Sequence, residues 1–64
     1  MIELLSPRQK QCLALAIRGL NSIQIAAELD LSRRTVDQYF GEACKRLGAN
    51  NRIHAVAIAV GDGL

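Results

Sequence analysis

The chain contains no tryptophan, one tyrosine, one phenylalanine and one proline in 64 residues. Tyr39 and Phe40 supply all of its aromatic surface, so the core has to be aliphatic. Cysteine is equally scarce. Cys12 and Cys44 can form one disulfide at most and are not spaced as a CxxC pair. With His54 as the only histidine they cannot complete a Cys/His zinc site. Free thiols in a reducing, cytoplasmic setting follow, and no metal or cofactor is expected. Long apolar runs are missing too. The stretch from Ala55 to Val60 falls far short of the ~20 residues that span a bilayer. No basic segment followed by an apolar one opens the chain, so neither a signal peptide nor a membrane partner is expected. Charge is nearly balanced, with 8 basic and 6 acidic residues giving a net +2. A chain this short is one domain, residues 1–64, and buries only ~60% of the surface its unfolded form exposes. It has little room for a catalytic cleft or a small-molecule site. A small binding module is the natural reading, and an enzyme is not.

No segment alternates with period two long enough to form a strand, whereas helix punctuation occurs four times. Ser6-Pro7-Arg8-Gln9 combines an N-cap, a proline at the first helical position and a capping-box Gln. Leu13, Ala16, Ile17 and Leu20 then share one side, and Gly19 offers a stop. Asn21 with Gln24 repeats the capping pattern, and Ile25, Ala26 and Leu29 face inward. Asp30 stands where a left-handed residue ends a helix. Ser32 caps a third helix whose Val36, Phe40, Ala43 and Leu47 form an apolar stripe, closed by Gly48. Asn51 caps the last, before Gly61 and Gly63. The pattern predicts an all-α, four-helix domain with helices at about 7–18, 22–29, 33–47 and 52–60.

The second and third helices, joined by a three-residue turn, make a helix-turn-helix, the motif whose second helix lies in the DNA major groove. With the Val36/Phe40/Ala43/Leu47 stripe inward, Arg34, Gln38, Gly41 and Lys45 stand directly opposite. Arginine reaches phosphate or guanine, and glutamine can pair with adenine. A mid-helix glycine costs roughly 1 kcal/mol against alanine, so Gly41 on an outward face suggests close approach to a partner. Arg33 and Thr35, near the helix start, are within reach of phosphate oxygens. Asp37 and Glu42 flank the same face and oppose phosphate. Asp37 either accepts a hydrogen bond from cytosine or pairs with Arg33 or Arg34.

These residues resemble the LuxR-type (GerE-type) helix-turn-helix domain of bacterial transcriptional regulators. The likeness runs from Leu5 to Leu64. Ser6-Pro7-Arg8-Gln9 is similar to that family's L-[ST]-x-R-E opening. Gly19, Asn21, Ile25 and Ala26 match its G-x-[ST]-x-x-E-I-A segment, with Gln24 for the usual Glu. Leu31 to Val36 match I-S-x-x-T-V, Lys45 to Ala49 match K-L-G-[VA], and Asn51-Arg52 with Ala55-Val56-Ala57 match N-R-x-x-A-V-A. The resemblance implies that the third helix reads DNA. Asp37, Gln38 and Gly41 then take base-reading positions. Arg34 and Thr35 take backbone positions, and Asn21 and Ser22 face another phosphate. Asp37 departs from the family's frequent Lys or Arg, and Gly41 from its larger side chains.

The resemblance also implies a homodimer through the fourth helix, and the apolar run from Ile53 to Val60 supports it. Val56, Ala59 and Val60 are expected in the two-fold contact. A two-fold protein reads a roughly palindromic duplex. Two functions compete on this sequence, beside a third reading as a sigma-factor-like promoter module that would also contact polymerase. One is sequence-specific DNA binding in transcriptional regulation, by a stand-alone regulator or by the C-terminal part of a longer one. The other is an interaction module that pairs with a full-length relative and blocks its DNA binding, which Asp37, Glu42, Gly41 and the low net charge favour. His54 is read as a capping or surface residue, and Arg52 as a further phosphate contact.

Overall fold

The computed structural model describes all of residues 1–64. A 3-10 turn at Ile2–Leu4 precedes four helices: α1 (Pro7–Ile17), α2 (Ser22–Leu29), α3 (Arg33–Leu47) and α4 (Arg52–Gly61). The sequence pattern gives α2 and α3 to the residue. It runs one residue past the end of α1 and stops one short of the end of α4, and it gives no sign of the opening turn.

Local chemistry accounts for each start. The side chains of Ser6, Asn21, Ser32 and Asn51 each accept a hydrogen bond from the backbone amide three residues on. In α1 and α2 the caps are reciprocal, because Gln9 and Gln24 return a side-chain oxygen to the cap residue's own amide at 2.9 Å. Such caps are worth about 1 kcal/mol each. The stops are equally local. Asp30 is left-handed (φ 56°), the one non-glycine residue that is, and its neighbour Leu31 donates back to the Ala26 carbonyl at 2.8 Å. Gly48 does the same for α3 at φ 66°, with Ala49 donating to Cys44 at 2.9 Å.

The long helix α3 packs against the other three and forms the centre of the fold. Its stripe of Val36, Phe40, Ala43 and Leu47 is fully buried, together with Leu13, Ile25, Ala26, Ala55 and Ala59. The inward side of α1 is shifted from the sequence reading. Gln9, Cys12 and Leu13 are the buried residues, while Ala16, Ile17 and Leu20 pack at the edge. Gln9 tolerates full burial because its amide is satisfied. Its oxygen accepts from the Ser6 amide, and its nitrogen donates to Glu42 on α3 at 2.9 Å. No buried side-chain nitrogen or oxygen lacks a partner. Both cysteines are free, and burial raises the Cys12 thiol pKa above its ordinary value, which disfavours the reactive thiolate. No helix is long and apolar enough to cross a membrane.

Candidate nucleic-acid interface

The turn Asp30-Leu31-Ser32 swings the chain so that α3 presents one side to α2 and the opposite side to solvent. On the solvent side Arg34, Gln38, Gly41 and Lys45 are all exposed. None of the Arg34, Gln38 or Lys45 side chains makes a hydrogen bond or ion pair within the chain. Three polar groups, two of them cationic, are therefore aligned on one face with no internal partner.

Gly41 sits in the middle of this row. A methyl group placed on it would meet nothing within 4 Å, and its φ is an ordinary helical one. No internal contact requires glycine here. Gly41→Ala is therefore expected to stabilise the free protein by about 0.5–1 kcal/mol. For a domain of this size that raises the melting temperature by about 4–8 °C per kcal/mol, measured by circular dichroism. A lower melting temperature would show that glycine serves the fold itself.

The remaining residues expected at the site divide in two. Arg33 is exposed, and its Nε lies 3.7 Å from Asp37. Thr35 is half-buried and accepts from the Ser32 hydroxyl at 2.9 Å, leaving its own proton available. Asn21 uses its side-chain oxygen to cap α2. Ser22 and Asp37 are not free. The Ser22 side chain is buried, and its hydroxyl donates to Asp37 Oδ1 at 2.8 Å while accepting from Arg52. Its only proton is spent, so the hydroxyl has none to donate to the phosphate that the resemblance places beside Ser22. Only the Ser22 backbone amide, at the positive end of α2, remains for that task. Asp37 Oδ1 also accepts from Arg52 Nη2 at 2.8 Å. The Arg52 and Ser22 hydrogen bonds, reinforced by the Arg33 charge, hold its carboxyl below the ordinary 3.8. Glu42, expected to flank this face, is exposed and also accepts from Gln9 of α1.

Arg52, expected from the sequence at a phosphate, opens α4. It is half-buried, with its guanidinium 3.9 Å from the centre of the Phe40 ring and its nitrogens on Ser22 and Asp37. Sequence reasoning missed this assembly because Asp37 and Arg52 lie 15 residues apart, on different helices. An open cleft of about 290 Å³ adjoins it, lined by Asn21, Ser22, Ile23, Arg33 and Arg52. Two arginines and the start of α2 face this space.

On α4 the inward residues are Ala55 and Ala59, both with no exposed surface. Ala59 therefore lies in the protomer's own core and offers nothing to a second chain, contrary to expectation. The outward apolar row is Ile53, Ala57 and Val60, with Val56 half-buried beside it; Ile53 is 81% and Val60 53% exposed. His54 has the expected capping part, its Nδ1 accepting from the Asn50 amide at 3.0 Å.

Residues 3–59 match the family described as "Bacterial regulatory proteins, luxR family". Over 56 residues the chain is 45% identical to the transcriptional activator protein VanR of Vibrio anguillarum, covering 88% of this chain and 23% of that protein. It is 41% identical over 59 residues to the response regulator RamR of Streptomyces coelicolor, covering 92% and 29%. It is 39% identical over 62 residues to the quorum sensing-dependent regulator VjbR of Brucella ovis, covering 97% and 24%. The chain thus spans about a quarter of the length of these curated relatives. The matched family is one of bacterial regulatory proteins, not of enzymes. Match, helix order and the solvent-facing row on α3 agree: the chain is a helix-turn-helix DNA-binding domain and belongs to the luxR family of bacterial regulatory proteins.

Proposed function

We propose that the domain binds double-stranded DNA in a sequence-specific way, with α3 in the major groove, as the transcription-controlling part of a cytoplasmic regulator. The observation that carries this reading is the row of Arg34, Gln38 and Lys45, exposed and without internal partners on the face opposite the core. Groups already paired within the protein would have to break a bond before meeting DNA, whereas these do not. Gln38 is the base reader, since its amide can pair bidentately with adenine. Gly41 lets the helix backbone sit close to the base edges. Arg33, Arg34, Thr35 and Lys45, with Asn21 and the Ser22 amide at the start of α2, hold the flanking phosphates.

A homodimer through α4 doubles this surface and matches it to a roughly palindromic site. The exposed row Ile53, Ala57 and Val60, with Val56 at its edge, is the apolar surface the protomer leaves uncovered. The small Ala57 in the middle of it permits close helix approach. The interaction-module alternative loses part of its support here. Asp37, one of the two acids that favoured it, is matched by Arg52 and Arg33, whereas Glu42 keeps its charge and only accepts from the neutral Gln9 amide.

Selection of bound duplexes from a random pool, with stoichiometry measured on the winning sequence, tests the proposal. The expected winner is a two-fold site holding two protomers. Its log affinity should fall linearly with log salt at about −0.9 per phosphate contacted. Binding to no duplex in a salt-sensitive manner would remove the proposal.

A further inference from the structure

We propose that Arg52 is a positioning residue for DNA binding. It clamps the first turns of α3 to the entries of α2 and α4, and it covers the charge of Asp37. For its DNA-affinity arm the proposal rests on the reading above; its folding arm does not.

Asp37 and Phe40 are three residues apart on α3 and so share one side of that helix. Arg52 reaches across from the first position of α4 and meets both. Its guanidinium stacks on the Phe40 ring at 3.9 Å while Nη2 donates to Asp37 Oδ1 at 2.8 Å. The second nitrogen of the same fork donates to Ser22, the first residue of α2, which itself donates to Asp37. Three helices therefore meet on one planar cation. Only arginine provides a flat, permanently charged group that stacks and forks together, so the role does not pass to lysine.

The electrostatic consequence follows from the same contacts. Asp37 lies one position before Gln38, beside the DNA-facing row. An uncovered carboxylate there repels phosphate. With Arg52 at 2.8 Å and Arg33 at 3.7 Å it is matched by positive charge. Arg52 in this account acts on DNA through Asp37 and touches no phosphate itself, which reverses the role the sequence suggested for it.

A double-mutant cycle over Asp37→Asn and Arg52→Gln tests this, with melting temperature and affinity for a random-sequence duplex as readouts. In the free protein each single change should lower the melting temperature by about 4–8 °C, and the double variant no further than the worse single one. On DNA, Arg52→Gln alone should weaken binding roughly five- to tenfold, because Asp37 is uncovered. In the Asp37→Asn background the same change should cost less than about twofold. Equal losses of affinity in both backgrounds, with a salt slope lowered by about one, would mean that Arg52 grips a phosphate, and the proposal fails. Additive melting shifts overturn it as well. If no variant binds DNA, the DNA-binding reading falls, and the melting cycle alone decides the clamp.

Discussion

Phe40→Ala is expected to leave the chain largely unfolded at 25 °C. Phe40 is the only phenylalanine and is 2% exposed, at the centre of the α3 stripe that the other three helices cover. Cutting a buried phenylalanine back to alanine costs about 3–5 kcal/mol through lost transfer energy and the cavity left behind. A single core in a chain below about 70–80 residues supplies about 3–5 kcal/mol in total. The two quantities are of the same size, so the variant has little or nothing left. The rest of the core is poorly able to fill the space. Val36, Ala43 and Ala55 are short, and Leu13 and Ile25 already have no exposed surface. The ring also carries the Arg52 guanidinium, so its loss frees a half-buried cation. Phe40→Leu separates the two effects. It keeps most of the volume, at a cost of about 1–2 kcal/mol, but removes the stacking face. Urea titrations followed by circular dichroism check both variants. Helical signal near the native level for Phe40→Ala, with a midpoint close to the parent's, would show that the core does not centre on this ring.

That dependence on one side chain marks the boundary between what the sequence makes legible and what it hides. Helix starts were legible because the information is local: Ser6, Asn21, Ser32 and Asn51 each act on an amide three residues away. The stops at Asp30 and Gly48 were legible for the same reason, since a left-handed residue is a property of one position. The α3 stripe and its opposite face follow from helical period alone, and so did the row of Arg34, Gln38, Gly41 and Lys45. Tertiary pairings were not legible. Gln9 looks like a surface residue, and its burial depends on Glu42, 33 positions later. Ser22, Asp37 and Arg52 each have a plausible reason to face DNA when read alone, and only their meeting in space turns the Ser22 and Arg52 donors onto one another and onto the Asp37 carboxylate. On α4 an apolar run nearly all round gives no inward side by itself. Packing against α1 and α3 turned Ala55 and Ala59 inward and left Ile53 and Val60 out.

The outward side of α4 carries the second large effect. Replacing both Ile53 and Val60 by Asp is expected to lower affinity for a two-fold DNA site by about 100-fold or more, while affinity for a single half-site stays within about twofold. Across a two-fold axis the same patch meets itself, so acids introduced at both positions of one patch face the acids of its copy. Ile53 is 81% and Val60 53% exposed, so neither change opens a cavity in the protomer, and the melting temperature of the free domain should move little. What is lost is the linkage between the two half-sites, which otherwise makes the second binding event intramolecular. The half-site measurement controls for simple repulsion between new acids and phosphate, because that acts on one protomer as well as on two. Symmetry supplies a rescue. A second variant with Lys at both positions should also fail alone, yet an equimolar mixture with the Asp variant should recover most of the affinity, as opposite charges then meet across the axis. Gel-shift titrations with sedimentation of the complexes read out all three cases. Full affinity of the Asp variant for the two-fold site would place the dimer contact elsewhere, and failure of the mixture to recover would show that these two positions do not face their own copies.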